Sequence, residues 1–182
     1  MKKIAVLVGS LRRDSLNLRF ARALERLSEG IFAFHYVDLA SLPLYNDDLW
    51  SDVPASVVEL KRRIDAADGV LLVSPEYNRS FPAVLKNALE WASRPYADNS
   101  WRGKPASLVG ASPGVIGTAA GQSQLRSVMV SLGTILMGSP EVYLNLRPEL
   151  IDEAHHVADP GTRAFLEAYL QSFDAWIDQV SP

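Results

Sequence analysis

A chain of 182 residues, 48% hydrophobic and 21% charged, has the material for one globular domain with a substantial core over 1–182, and a second domain is not expected. Eighteen basic against 21 acidic side chains leave a formal net charge of −3, which gives no global reason to expect nucleic acid or an anionic membrane as partner. The lack of cysteine excludes disulfides, thiol nucleophiles and thiolate-held metals, and is compatible with a reducing compartment.

The chain begins with two lysines but only five consecutive apolar residues before Gly9, short of a signal-peptide core, and no stretch is long enough to span a bilayer; a soluble cytoplasmic protein is the expectation. Residues 3–8, KIAVLV, read as a buried strand that empties into Gly9-Ser10-Leu11-Arg12-Arg13-Asp14-Ser15-Leu16-Asn17 and then into an amphipathic helix over 15–28. Hydroxyls, an amide and an arginine at a helix start converge on an anion, because the first N–H groups are unpaired and carry partial positive charge. An ordinary strand-to-helix turn, with Ser15 as N-cap and solvated arginines, accounts for the same residues. No GxxxxGK[ST] run occurs and no GxGxxG follows a strand, so any phosphate held here is expected to be a monophosphate.

A second strand is expected over 32–37, followed by an irregular loop, 40–53, rich in Asp, Pro and Trp, and a helix over 54–67. The strand over 70–74 leads into Ser74-Pro75-Glu76-Tyr77-Asn78-Arg79-Ser80-Phe81-Pro82 and a helix over 82–93 that carries Lys86, Asn87 and Trp91. Pro54 and Pro82 both suit a first helical turn. Bracketed by Pro75 and Pro82, the loop is stiff enough to present backbone groups to the edge of a flat heterocycle, with Tyr77 as apolar surface; a Pro-initiated turn at Asn78 is the plainer alternative. The strand over 106–111 opens into Gly110-Ala111-Ser112-Pro113-Gly114-Val115-Ile116-Gly117-Thr118, whose small residues allow close backbone approach to a ligand, or form a simple turn with Thr118 as N-cap. A helix over 118–132, a strand region over 134–143, a second irregular loop over 145–161 and a helix over 163–180 complete the chain. The last helix sets Phe165, Leu166, Tyr169, Leu170, Phe173, Trp176, Ile177 and Val180 on one face. Each irregular loop reads either as an active-site rim or as a solvated connection. His155 and His156 are sequence neighbours and read as solvated rather than as a metal pair, His35 as a surface or edge residue, and Trp91, Trp101 and Trp176 as core or interface.

This alternation implies an α/β three-layer sandwich with right-handed crossovers, its five-stranded parallel sheet in the flavodoxin-like order 2-1-3-4-5. Ligands in such folds sit beyond the carboxyl ends of the strands where the winding reverses, so the loops after strands one, three and four should meet at one site.

The runs GSLRRDSLN, SPEYNRSFPAVLKNALEWASRP and GASPGVIGTAAGQSQLR resemble the NADPH-dependent FMN reductase family, in particular its quinone and chromate reductase branch, from residue 3 to about 143. The resemblance implies noncovalent FMN, NADPH or NADH as donor, and homodimers or homotetramers. By position it implies that Ser10, Arg12, Ser15, Leu16 and Asn17 hold the FMN phosphate, that Pro75, Glu76, Tyr77 and Asn78 contact the ring and ribityl chain, and that Ser112, Gly114 and Gly117 lie on the other side of the ring. Arg126 and Glu141 match positions that help join subunits. The chain departs from that branch at Ser123 and Arg79, where aromatic residues are common.

With a flavin bound, the lack of an obvious acid–base or nucleophilic constellation is expected, since the cofactor performs the chemistry and no side chain need be catalytic. Hydride from NAD(P)H and two electrons to a quinone, chromate, azo dye or similar small molecule would follow in ping-pong order. Backbone N–H groups of 76–78 and 112–118 would stabilise developing negative charge. Two alternatives keep the sheet: a flavodoxin-type electron carrier or redox sensor, and a nucleoside-processing transferase with Glu76 as nucleophile.

Overall fold

The protein is described by a computed structural model covering residues 1–181. Strands β1 (Lys2–Val8), β2 (Phe32–Tyr36), β3 (Gly69–Val73), β4 (Pro105–Ser112), β5 (Ile135–Leu136) and β6 (Val142–Asn145) form one parallel sheet. Its order is β2-β1-β3-β4-β5, with β6 also paired to β4. The helices are α1 (Leu16–Leu27), α2 (Ala55–Asp65), α3 (Ala83–Ala92), α4 (Ala119–Ser131) and α5 (Pro160–Val180).

Period-two alternation in the central strands builds the two cores. Ile4, Val6, Leu71 and Val73 face α1 and α5, where Phe20, Leu24, Tyr169 and Phe173 are buried, while Ala5, Leu7, Val70 and Leu72 face Leu60, Ile64, Leu85 and Leu89 of α2 and α3. Every residue of β3 is buried, as a strand covered on both faces requires.

The expected strand over 134–143 is broken in two. β5 pairs with Pro105 and Ala106, β6 with Val109 to Ser112, and Gly138-Ser139-Pro140 lie between them. Pro140 has no N–H for a ladder and Gly138 weakens one, so the sheet position of strand five is filled by two short pieces. Pro54 and Pro82 stand at the N-cap positions, and α2 and α3 begin one residue later.

Neither irregular loop is a mere connection. Asn87 of α3 brackets the first, its Oδ1 accepting from Tyr45 N at 2.8 Å and its Nδ2 donating to the Pro43 carbonyl at 2.9 Å, and Trp91 Nε1 donates to that carbonyl at 2.8 Å. The second folds into a cap: Leu146, Leu150, Ile151 and Val157 are buried, residues 151 and 157 form an antiparallel bridge, and Asp152 accepts from the His156 N–H at 2.7 Å. α5 starts at Pro160, three residues earlier than expected, because Asp159 caps it by accepting from Thr162 N. Phe165 is exposed rather than part of the buried stripe, and His155 is half-buried rather than solvated. His35 is exposed, and Trp91 and Trp101 are wholly buried.

Candidate functional site

The loops that follow β1, β3 and β4 converge at the carboxyl edge of the sheet. The first contributes Ser10, Arg12, Leu16 and Asn17 to a common cleft, the second Pro75, Glu76 and Tyr77, and the third Ala111, Ser112 and Pro113.

At the first loop, Ser15 is the N-cap of α1: its Oγ accepts from Leu18 N at 3.1 Å and its carbonyl from Arg19 N at 3.0 Å. Of the four N–H groups that a helix start leaves open, the cap takes only that of Leu18, and those of Leu16 and Asn17 remain beside the cleft. Arg12 is exposed and meets no carboxylate among the described residues. The turn reading and the cradle reading of this loop are thus compatible, because Ser15 is consumed as cap while the adjoining donors stay free. Gly9 is explained by packing, since a Cβ there would lie 2.7 Å from Leu85 Cδ1.

The Asn17 side chain does something the sequence did not suggest. Only 3% exposed, it donates from Nδ2 to the Ala111 carbonyl and accepts at Oδ1 from the Ala111 N–H, both at 2.9 Å. β3 ends at Val73, and the last bond from that segment to β4 is Ser74 N to the Val109 carbonyl. Asn17 thus supplies the peptide-like donor and acceptor that a longer β3 would have offered to Ala111.

The second loop is a tight hairpin. Tyr77 and Ser80 exchange both backbone hydrogen bonds, at 2.9 and 3.0 Å, around Asn78 at φ 52° and Arg79 at φ 66°. Two consecutive left-handed residues make a primed turn, normally the province of Asn-Gly, and an arginine there is strained backbone at a cleft. α4 holds the hairpin in place. Glu76 Oε2 accepts from Gly121 N at 3.0 Å, Gln124 Nε2 donates to the Arg79 carbonyl at 2.7 Å, and Ser80 Oγ donates to Gln124 Oε1 at 2.7 Å. Tyr77 projects from this clamp 48% exposed.

In the third loop Ser112 Oγ accepts from Gly114 N at 3.0 Å, and Gly117, at φ 65°, passes so near β6 that a Cβ would meet Tyr143 backbone at 2.9 Å. Thr118 occupies the N-cap position without capping; its Oγ1 accepts from Gln122 Nε2 at 2.8 Å instead. Val115 is 91% exposed, and Ile116 and Leu11 are also exposed at the ends of these loops.

Eight of the expected binding residues line the cleft, and four do not. Ser15 is buried as a cap, Asn78 forms the hairpin turn, and Gly114 and Gly117 shape the third loop. Ala111, Pro113 and Gln124 were missed; the first two act through backbone or small surface, and a glutamine on a helix carries no local signal. Glu76 has a carboxylate engaged by Gly121 N and lies 3.8 Å from Arg79, a capping role rather than that of a free nucleophile. Arg126 and Glu141 pair within one chain, Nε to Oε1 at 3.3 Å, and burial with the Glu141 hydrogen bond pushes the Tyr143 phenol above its ordinary value.

The donor set suits a phosphomonoester with a flat ring attached. An unpaired guanidinium and two helix N–H groups stand at one end, and Pro75, Tyr77 and small residues of the third loop at the other. Residues 2–149 match the NADPH-dependent FMN reductase family. The chain belongs to this family. FMN as cofactor and a reduced nicotinamide nucleotide as donor come with that membership. Among its relatives, a 2-hydroxy-1,4-benzoquinone reductase of a Burkholderia species is 47% identical over 175 residues, 96% of each chain. A quinone reductase of Pseudomonas putida is 41% identical over 96% of this chain and 94% of its own. The structure of a flavoenzyme NAD(P)H:(acceptor) oxidoreductase from Paracoccus denitrificans superposes with a TM-score of 0.97 at 47% identity, covering 99% of both chains. A flavodoxin from Pseudomonas aeruginosa, at 21% identity and TM-score 0.56, shares the fold. The flavodoxin-like sheet expected from the sequence is therefore the one observed, and no helix among the described residues is long and apolar enough to cross a membrane.

Proposed function

We propose that this member of the FMN reductase family is a cytoplasmic NAD(P)H-dependent quinone reductase, one flavin-binding domain per chain, that also accepts chromate and azo compounds. The observation that carries the reading is the convergence of the three loops on one cleft with unpaired donors at its α1 end. The relatives named as quinone reductases support the acceptor class.

In this reading the Arg12 guanidinium, the Ser10 hydroxyl and the N–H groups of Leu16 and Asn17 hold the phosphate, reinforced by the α1 dipole. Ser15 and Asn17 act one step back, the first by closing the helix start and the second by tying it to Ala111. Pro75 and the Tyr77–Ser80 hairpin offer a rigid wall to the ring, with Glu76 and Asn78 N–H free to donate, whereas Tyr77 N–H is engaged by Ser80. Ser112, Gly114 and Gly117 keep the opposite wall low, so that a planar donor or acceptor can approach. Held in this way, FMN would supply the redox chemistry, with hydride taken from NADPH or NADH and two electrons given to the acceptor in ping-pong order. The exposed Leu11, Tyr77, Val115 and Ile116 at the mouth support a homodimer or homotetramer, while Arg126 and Glu141 are already paired with each other inside one chain.

The test is spectroscopic. The purified protein, with FMN added if it is colourless, should show flavin bands that bleach promptly with NADPH under argon and return on adding benzoquinone. Bleaching that is slow and incomplete would make the protein an electron carrier, and no flavin binding would end the proposal.

A further inference from the structure

The hairpin beside the cleft carries one cation, Arg79, that the flavin reading leaves without a task. Arg79 holds φ 66° at the second corner of the primed turn, where glycine would sit without strain. Its backbone is pinned all the same, because Gln124 Nε2 donates to its carbonyl at 2.7 Å and Gln124 Oε1 accepts from Ser80 Oγ at 2.7 Å. The turn therefore presents a long cationic side chain from a fixed base. Strain kept at the rim of a cleft directs attention to what that side chain does there.

The guanidinium stands on the solvent side of Glu76. Its Nη1 lies 3.8 Å from Glu76 Oε1, too far for a hydrogen bond, and the arginine side chain is 71% exposed against 11% for the glutamate. Glu76 lines the cleft, so the positive charge sits at the cleft's mouth. The carboxylate itself is turned to α4, where Oε2 accepts from Gly121 N at 3.0 Å in the first helical turn that Thr118 leaves uncapped. The helix start takes up part of the glutamate's charge, and an exposed pair at 3.8 Å neutralises little of the arginine's. Among the described residues the Arg79 side chain donates no hydrogen bond to the protein, so its fork of N–H groups is free. The surface around it is apolar, with Tyr77 half-exposed on the same hairpin and Val115 and Ile116 exposed on the third loop. An apolar mouth with one free guanidinium at its edge fits a planar molecule whose ring carries a negative charge.

We propose that Arg79 is a specificity-determining residue for the electron acceptor, favouring quinones that bear an anionic ring substituent such as an ionised hydroxyl, a carboxylate or a sulfonate. The inference rests on the quinone reductase reading and adds to it the charge of the preferred substrate. The guanidinium takes no part in the transfer itself. The quinone gains two electrons and one proton as a hydride from the reduced cofactor, a second proton comes from solvent, the hydroquinone leaves with its substituent unchanged, and NAD(P)H restores the cofactor. The experiment uses the FMN-loaded protein with NADH as donor and compares 1,4-naphthoquinone-2-sulfonate with the uncharged menadione, in the parent and in Arg79→Gln, Arg79→Lys and Arg79→Gly. The ratio of kcat/KM for the sulfonate to that for menadione should fall about three- to tenfold in Arg79→Gln, return in large part in Arg79→Lys, and shrink in the parent as salt is raised. Binding to the oxidised protein is a second readout: the calorimetric Kd of 4-hydroxybenzoate, and not that of 4-hydroxybenzamide, should rise by a similar factor. Arg79→Gly removes the charge together with the strain at φ 66°, so it keeps the test readable if the glutamine variant folds poorly. An unchanged ratio in the glutamine and glycine variants, or an equal loss for both quinones, overturns the proposal. So does a KM for NADPH that rises while the quinone ratio holds, which would assign the guanidinium to the donor's 2′-phosphate. A protein that keeps its flavin but reduces neither quinone ends the reductase reading, and the benzoate titration then decides the role of Arg79 by itself: no binding, or a Kd unmoved by the substitutions, overturns it.

Discussion

Replacing Asn17 by alanine separates its structural role from a ligand-contact role. The substitution removes two hydrogen bonds of 2.9 Å and leaves the Ala111 N–H and carbonyl, on a residue only 2% exposed, without partners on that side of β4. Each buried group stranded in this way costs about 1–3 kcal/mol, so the pair sums to roughly 2–6 kcal/mol. Because Ala111 borders the cleft, water can reach part of the gap, and the lower half of that range, about 2–4 kcal/mol, is expected. For a chain of this size each kcal/mol moves Tm by roughly 2–4 °C, so Tm should fall by about 5–15 °C. The assay is thermal unfolding followed by circular dichroism, without cofactor and again with saturating FMN, alongside the FMN Kd by fluorescence quenching. Asn17→Asp makes the contrast, since it keeps an acceptor for the Ala111 N–H but sets a negative charge at the proposed phosphate cradle, and should weaken FMN binding more than Asn17→Ala does. A cofactor-free Tm for Asn17→Ala that matches the parent would refute the reasoning, because the side chain would then contribute nothing to the fold.

Arg12→Gln should raise the FMN Kd by about 10–100-fold, the worth of one charge-assisted contact to phosphate, while the NADPH reduction rate of the flavin that remains bound stays within about twofold in stopped flow. Gly110→Ala should give insoluble or unstable protein, as its Cβ would sit 2.1 Å from Thr118 Oγ1 and 2.3 Å from the Ser74 carbonyl; soluble expression with unchanged Tm would contradict that close approach. The acid limb of stability can be followed at Asp152. The His156 backbone N–H, then its ring, hold this carboxyl below the ordinary 3.8, so its stabilising effect is present above that value and lost as pH falls through the lower folded one. The Tm gap between the parent and Asp152→Ala should therefore be full at neutral pH and close in strong acid.

The continuous apolar runs of β1, β3 and β4 identified a doubly wound parallel sheet, because strands covered on both faces leave no room for polar alternation. The runs GSLRRDSLN, SPEYNRSFP and GASPGVIGT marked the three loops, and the sheet order that brings them together followed from the alternation of elements. Local pattern could not reveal the break between β5 and β6, since an interrupted apolar stretch reads much like a single strand until its partner registers are known. Nor could it reveal the anchoring of the hairpin. Asn78 and Arg79 take left-handed conformations without a glycine because Gln124, 45 residues along the chain from Arg79, accepts and donates across the gap. Asn17 is the clearest case. The sequence by itself determined that a polar residue opens α1 beside the cleft, but its pairing with Ala111, 94 positions away, was decided only when folding ended β3 one step short and left β4 with an unpaired peptide group to satisfy.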